Sequence, residues 1–179
     1  MTLFPKETDV LLFMKGNRKR IRSVIVILIP VLLAYLCSAH LFQLMLIQGD
    51  SMLPTYHHMQ LVVIRKNPEH ISEGNVIAFH SETLSADLVK RVVACPGDRI
   101  VIQDGTLYIN GEISKVYPEE GSFLYAGILD KPVLLSAGQY FVIGDNIAEG
   151  HDSRYEEVGI VKEESILGVV IPESAVSQQ

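Results

Sequence analysis

A chain of 179 residues holds one globular domain and little besides, and an apolar content of 48% excludes a disordered or fibrous protein. The formal net charge is −6, and no basic stripe with interleaved aromatic residues occurs, which argues against a nucleic-acid partner. Two cysteines, Cys37 and Cys95, are too few for a disulfide framework. No Cys/His cluster has the spacing of metal ligands, so we expect no metal site.

Charge is distributed unevenly along the chain. Residues 1–22 carry six basic and two acidic side chains, a net charge of +4, and residues 23–42 carry no charge. Residues 43–179 carry nine basic and nineteen acidic side chains, a net charge of −10. A basic segment is attracted to an anionic cytoplasmic membrane surface. We therefore divide the chain into a basic cytoplasmic segment, an apolar segment and an acidic domain.

The apolar segment, residues 23–42, is rich in Ile, Val and Leu and matches the ~20 residues that a helix needs to cross a bilayer. Pro30 is tolerated in such a helix, where it introduces a kink. The basic residues in front predict a single-pass anchor in the plasma membrane, with residues 43–179 on the outer face. The alternative is a cleaved signal peptide with a small-residue site at 37–39, but apolar character resumes at Leu41, which favours the anchor.

Beyond residue 55, short β-branched runs alternate with turn residues, which is typical of strands. Asp104-Gly105 between two alternating runs predicts a tight hairpin, because both residues tolerate positive φ. Residues 113–138 are less regular, and we expect them to form a surface excursion. The predicted fold is mostly β, a transmembrane helix followed by an antiparallel, barrel-like sheet domain. The predicted strands cover residues 61–64, 76–79, 88–94, 99–103, 106–109, 139–143 and 166–171.

The stretch from Gly49 to Thr55 (Gly-Asp-Ser-Met-Leu-Pro-Thr) follows the apolar segment and fits neither a helix nor a strand pattern. It presents one serine hydroxyl, that of Ser51, close to the predicted membrane boundary. A serine hydroxyl is a poor nucleophile unless a neighbouring base removes its proton. The base must come from elsewhere in the chain.

Two residues are candidates for that base. Lys90 stands in an otherwise apolar strand, where burial lowers the pKa of an ammonium group, and a neutral amine can take a proton from serine. Because adjacent strand residues face opposite sides, we expect Lys90 or Arg91 to face solvent. His151 lies beside Asp152, so a Ser-His-Asp arrangement stays open as the alternative.

Three motifs occur in a fixed order: the Gly49–Thr55 stretch, Lys-Arg-Val-Val from Lys90 with Pro-Gly-Asp behind it, and Gly-Asp-Asn with Asp-Ser-Arg within 144–154. From the apolar segment to Ile171 the chain thereby resembles the bacterial type I signal peptidases, membrane-anchored Ser/Lys endopeptidases that cleave signal peptides from exported proteins. The resemblance implies that preprotein signal peptides and membrane lipid are partners, with the secretion translocon as a further candidate. It also implies that no cofactor is needed.

The resemblance further implies the role of each motif residue. Ser51 would be the nucleophile, with its backbone N–H as an oxyanion donor, and Lys90 the general base. Two departures concern these groups: Gly49 replaces a hydroxyl residue that some members use as the second oxyanion donor, and Gly150 replaces a serine that contacts the lysine. The second oxyanion donor is therefore left unassigned.

Shallow apolar pockets would admit only small side chains at the first and third positions before the cut, and a loop would buttress the lysine. Asp145 is expected to pair with Arg154, with Asp152 as the alternative partner. The pocket residues are Met45, Ile47, Met52 and Val89, and the supporting residues are Gly49, Pro54, Asp145, Asp152, Ser153 and Arg154.

Two other classes of function are weighed against a peptidase. Self-cleaving repressors of the SOS type use a similar Ser/Lys dyad but need a soluble N-terminal segment, where this chain has an apolar one. A membrane-anchored accessory β-domain, or an inactive relative of the peptidases, would share the topology without needing Ser51 and Lys90 together.

Overall fold

The computed structural model describes residues 24–33, 35, 40–149 and 151–172, and the chain divides into two compact units, residues 1–41 and 42–179. In the first unit every described residue is helical. Within the described ranges, the structure contains no helix with the length and apolar character that crossing a bilayer requires. The basic segment 1–22 and the alternative cleavage site lie outside the described residues.

The second unit consists of two antiparallel sheets. The strands of this unit are β1 Phe42–Leu46, β2 Leu61–Arg65, β3 Val76–Ser81, β4 Ala86–Ala94, β5 Arg99–Gln103, β6 Thr106–Ile109, β7 Glu112–Ile113, β8 Val133–Leu134, β9 Gln139–Ile143, β10 Val161–Lys162 and β11 Ile166–Val170. The larger sheet has seven strands in the order β1-β2-β11-β3-β4-β9-β10, and the smaller has four in the order β7-β6-β5-β8. Two 3-10 helices cover Gly127–Asp130 and Glu163–Ser165. The prediction of a mostly antiparallel β fold is confirmed, with the strands divided between two sheets.

The sequence predicts β2–β6, β9 and β11 and misses four strands. β1 was hidden because its apolar residues continue the run before it: Phe42, the last residue of the predicted anchor, is the first residue of this strand. The other three, β7, β8 and β10, are two residues long, which is too short for a period-two pattern to show.

The hairpin between β5 and β6 forms as expected. Gln103 pairs with Thr106, and the two turn residues between them, Asp104 and Gly105, have φ of 49° and 72°. Both values lie in the left-handed region that this turn requires.

The prediction of a surface excursion at 113–138 needs a correction in part, because four apolar side chains of the segment are buried. Its buried side chains pack with those of β5, β6 and β9 in one hydrophobic cluster. They are Tyr117, Phe123, Leu129 and Leu135. The segment therefore forms part of the core of the smaller sheet, although it holds little regular structure.

β4 is the strand that positions the site. It pairs with β3 from Ala86 to Arg91, with Lys90 opposite Ile77, and with β9 only from Arg91 to Ala94. Among the described residues, the stretch 86–90 thus has a partner on one side and an unpaired edge on the other. An unpaired edge presents N–H and C=O groups that can accept another strand.

Candidate active site

Ser51 and Lys90 lie together although 39 residues separate them in the chain. The Lys90 Nζ donates a hydrogen bond to Ser51 Oγ. The Lys90 side chain is buried, with 4% of the residue exposed. When the amine is neutral, the same contact lets the serine hydroxyl donate its proton to nitrogen.

Burial sets the charge state of Lys90. It lowers the pKa of Lys90 to about 8, because the ammonium loses its hydration, while the carboxylates of Asp152 and Asp145 act in the opposite direction. A substantial fraction of the amine is therefore neutral in mildly alkaline solution, which a general base requires.

The turn that carries Ser51 is held by hydrogen bonds of its backbone N–H groups. Gly49 has a φ of 88°, and its N–H donates to His58 Nδ1 at 2.9 Å. The N–H of Leu53 donates to the carbonyl of Asp50 at 3.1 Å, and the peptide bond from Leu53 to Pro54 is cis. Because the Gly49 N–H is engaged with His58, it supplies no second oxyanion donor in this conformation.

A second loop, residues 144–146, holds the serine turn from the outside. The Asn146 N–H donates to the Ser51 carbonyl at 3.0 Å, and Asn146 Nδ2 donates to the Asp50 carbonyl at 3.3 Å. Met52 on the other side of the serine is 1% exposed and packs in the same hydrophobic cluster as Ile47. The serine is thus held between a packed core residue and a hydrogen-bonded loop.

The expected partner of Asp145 is wrong. Asp145 pairs with Arg91, whose Nε donates to Oδ1 at 2.7 Å and whose guanidinium donates to Oδ2 at 2.5 Å. A third nitrogen of Arg91 donates to the Gly74 carbonyl at 2.8 Å. The expectation that Lys90 or Arg91 faces solvent is also wrong. The planar fork of Arg91 forms a bidentate pair with the Asp145 carboxylate, and the Arg91 side chain is only 20% exposed.

Arg154 instead takes the alternative partner, Asp152. The Arg154 Nε and guanidinium donate to the two carboxylate oxygens at 2.9 and 2.8 Å, and the two side chains are 2% and 0% exposed. Ser153 between them bonds to Val142 in β9, donating its N–H at 3.0 Å and accepting on Oγ at 3.1 Å. Its hydroxyl therefore braces the loop against the sheet, and Gly150 lies outside the described residues.

His151 is not placed as a base. Its ring packs on that of Tyr155, with the centroids 5.3 Å apart, and the residue is exposed. Both oxygens of the neighbouring Asp152 already accept from Arg154, so this carboxylate does not orient the imidazole.

A cleft of about 350 Å³ opens beside Ser51 and Lys90. One wall is the chain from Met45 to Gln48 with Met52, and the other is the stretch 86–90 of β4, the one with the unpaired edge. All four predicted pocket residues line this cleft, namely Met45, Ile47, Met52 and Val89. No histidine of the described residues lines it.

Three residues of the site carry no role in the sequence prediction. Thr55 closes the first motif, and its Oγ1 donates to Asp145 Oδ2 at 2.5 Å. Tyr117 donates to the loop at Gly144, and Asn146 holds the serine turn. Thr55 and Asn146 are in the quoted motifs and could have been found there, whereas nothing in the sequence around Tyr117 signals its place.

The site has the parts for nucleophilic acyl transfer, a serine hydroxyl with an amine beside it and a cleft for an extended chain. No group of three or more His, Cys, Asp or Glu side chains suited to a metal ion is found in the part of the chain that the structure describes. The family model described as signal peptidase, peptidase S26 matches residues 20–172. The chain belongs to this family of peptidases, and the resemblance drawn from its three motifs is confirmed.

The chain is also similar to individual signal peptidases. The chain is 35% identical over 152 residues to signal peptidase I T of Bacillus subtilis (strain 168), covering 79% of this chain and 78% of that protein. It is 33% identical over 152 residues to a signal peptidase I of Bacillus licheniformis, covering 79% and 81%. A crystal structure of a signal peptidase I from Enterococcus faecalis V583 matches with a TM-score of 0.46 and 28% identity over 57% of this chain and 97% of that one.

Proposed function

We propose that this chain is a membrane-anchored serine endopeptidase that removes N-terminal signal peptides from exported preproteins, with Ser51 as nucleophile and Lys90 as general base. The observation that carries the proposal is the contact between a buried lysine amine and a serine hydroxyl beside a cleft. Family membership supports the reaction class, and the cleft supports a peptide substrate.

The substrate would bind as an added strand. The unpaired edge of β4 at residues 86–90 can exchange backbone hydrogen bonds with an extended peptide, while pockets on the facing wall select its side chains. Met45, Ile47 and Met52 make this wall apolar, and Val89 adds an apolar side chain on the β4 side. The buried positions of Ile47 and Met52 leave the pockets shallow. Small side chains at the first and third positions before the cut fit such pockets.

The chemistry then proceeds through an acyl-enzyme. Ser51 Oγ attacks the carbonyl carbon of the scissile bond while Lys90 Nζ takes the hydroxyl proton, and the Ser51 N–H donates to the resulting oxyanion. The C–N bond breaks as Lys90 returns that proton to the leaving amine. A water molecule, losing a proton to Lys90, attacks the ester, and the proton passes to Ser51 Oγ as the acyl group leaves.

An exposed apolar face supports the membrane location. On one face of the β1–β2 pair, Leu46 lies opposite Leu61, and both join Phe42 and Leu44 in facing outward. Exposed apolar patches mark contacts with other molecules or with lipid. In the sequence, β1 begins at the last residue of the segment 23–42, which we propose as the anchor, with residues 1–22 in the cytoplasm and 43–179 on the outer face of the plasma membrane.

The test is cleavage of a purified secretory precursor by the full-length protein in detergent. Wild type should cut after a small-x-small site, identified by sequencing the new N-terminus, and Ser51→Ala and Lys90→Met should be inactive while folded by circular dichroism. His151→Ala is the matched control and should keep wild-type activity. Loss of activity in His151→Ala with retention in Lys90→Met would overturn the base, and a wild type silent on several precursors would favour an accessory or inactive relative.

A further inference from the structure

Tyr117 connects the irregular segment 113–138 to the site. Its side chain is buried, with 6% of the residue exposed, and its hydroxyl lies 3.1 Å from the Gly144 carbonyl and 3.3 Å from Asp145 Oδ1. One hydroxyl proton is thus shared between two acceptors in the loop that holds the serine turn.

The position of the Tyr117 ring is fixed on its other side. The ring meets that of Phe123 edge to face, with centroids 5.7 Å apart and planes at 78°. The Tyr117 N–H donates to Ser114 Oγ at 3.3 Å. Since both the ring and the backbone are held, the hydroxyl is a preorganised donor rather than a mobile one.

The hydroxyl also keeps its proton. Burial, assisted by the nearby Asp145 carboxylate, raises the pKa of Tyr117 far above its ordinary value. It therefore remains a donor to the loop at any pH at which Lys90 changes its charge.

The loop transmits this constraint to the nucleophile. Asp145 is held by Arg91 and Thr55 at the same time as by Tyr117, and the next residue, Asn146, donates its N–H to the Ser51 carbonyl. Removing the Tyr117 hydroxyl takes away one of the hydrogen bonds that hold the loop where it abuts the serine, while those from Arg91 and Thr55 remain.

We propose that Tyr117 is a positioning residue for the peptidase site: through the Gly144–Asn146 loop its hydroxyl fixes the backbone of Ser51 in the orientation for attack. This inference rests on the proposed function. It gives the segment 113–138 a part in the reaction, although none of the segment's residues lines the cleft.

The variant Tyr117→Phe keeps the ring and removes only the hydroxyl. We expect kcat to fall about tenfold with KM within about twofold of wild type, because a misplaced nucleophile slows attack without altering the peptide's binding wall. Tyr140→Phe is the matched control, since Tyr140 is 7% exposed and packs in a different hydrophobic cluster, and it should keep wild-type kcat.

Hydrogen exchange provides a readout that is independent of activity. Measured by mass spectrometry, the peptide containing Asn146 should exchange faster in Tyr117→Phe and at the wild-type rate in Tyr140→Phe. An unchanged kcat together with unchanged exchange would overturn the role of Tyr117, and so would equal losses of kcat in both variants. If wild type cuts no precursor, the proposed function fails, and unchanged exchange in Tyr117→Phe would then overturn the structural part of this inference on its own.

Discussion

Gly144 packs directly against the main chain of Ser51. A β-carbon on residue 144 would lie 2.5 Å from the Ser51 carbonyl oxygen and 3.5 Å from its Cβ. That carbonyl also accepts the Asn146 N–H at 3.0 Å. The loop can approach the nucleophile this closely only because residue 144 has no side chain.

Replacing Gly144 by alanine should therefore displace Ser51. Because backbone cannot yield as a flexible side chain does, we expect a shift of the serine that lowers kcat about 100-fold. Precursor cleavage by the purified variant measures it, alongside its unfolding midpoint. Gly111→Ala is the control: its φ of 88° makes alanine strained there, but nothing lies within 4 Å, so stability should fall without loss of kcat. Wild-type kcat in Gly144→Ala would show that the loop does not position the serine.

Activity should depend on the charge of Lys90. Below its pKa of about 8 the amine is protonated and accepts no proton, so kcat/KM should rise with pH and level off above that value. A pH profile of precursor cleavage measures the midpoint. A midpoint near 6.5, the ordinary pKa of an imidazole, would instead indicate histidine as the base.

The same shift has a consequence for stability. The unfolded chain binds a proton at Lys90 up to its ordinary pKa of 10.5, whereas the folded chain releases it at about 8. Between these values the unfolded state holds more protons, so the contribution of Lys90 to the free energy of unfolding rises with pH. Denaturant titrations at a series of pH values across this range give the free energy of unfolding as a function of pH. Its slope against pH should differ between wild type and Lys90→Met, and identical slopes would contradict the pKa shift.

The Arg154–Asp152 pair should be a large contributor to stability. Asp152→Ala leaves Arg154 buried at 2% exposure without its carboxylate, and we expect a loss of about 3–5 kcal/mol in the free energy of unfolding. Urea denaturation measures this loss. Lys162→Ala, which removes an exposed partner of Glu164, is the control and should leave the midpoint unchanged. Equal effects in the two variants would mean that burial of the pair is not what matters.

The size of the side chain at position 45 should set which substrates are accepted. Met45 lines the cleft and is half-buried in β1, packed against the hydrophobic cluster that holds Ile47 and Met52, so Met45→Ala enlarges the pocket. We expect this variant to cut precursors with valine or leucine at the third position before the cut, which the shallow pockets proposed for wild type would exclude. Relative kcat/KM over a set of such precursors tests the change. Unaltered preference would assign that selection to other residues of the wall.

Local sequence patterns predict the elements whose structure depends on neighbouring residues alone, such as the hairpin between β5 and β6. The Asp104-Gly105 turn and the alternating strands on either side need no knowledge of distant residues. The strand Phe42–Leu46 is not predicted, because its composition continues that of the segment before it, and only its pairing with Leu61–Arg65 defines it. A local sequence pattern does not predict the pairing of strands that are distant in the chain.

The same limit applies within the site. A buried lysine in an apolar strand is visible in the sequence, and so is a serine in an unusual turn. The partner of Asp145 is not visible in the sequence. Asp145 lies 54 residues from Arg91 and nine from Arg154, and its partner is the guanidinium that the folded sheet brings within reach. Tyr117 lies 28 residues from Asp145, and only the packing of the irregular segment brings the two together.

The register of β4 against β3 decides which of two adjacent cations lies beside Ser51. With Lys90 opposite Ile77, the amine enters the interior, and Arg91 falls on the other face beside Asp145. A slip of one residue would exchange them, because side chains alternate between faces. The guanidinium would then occupy the interior, and it does not deprotonate at any working pH. A single deletion within residues 86–89 should thus abolish catalysis even where the sheet still forms, whereas lengthening the turn at 82–85 should be tolerated.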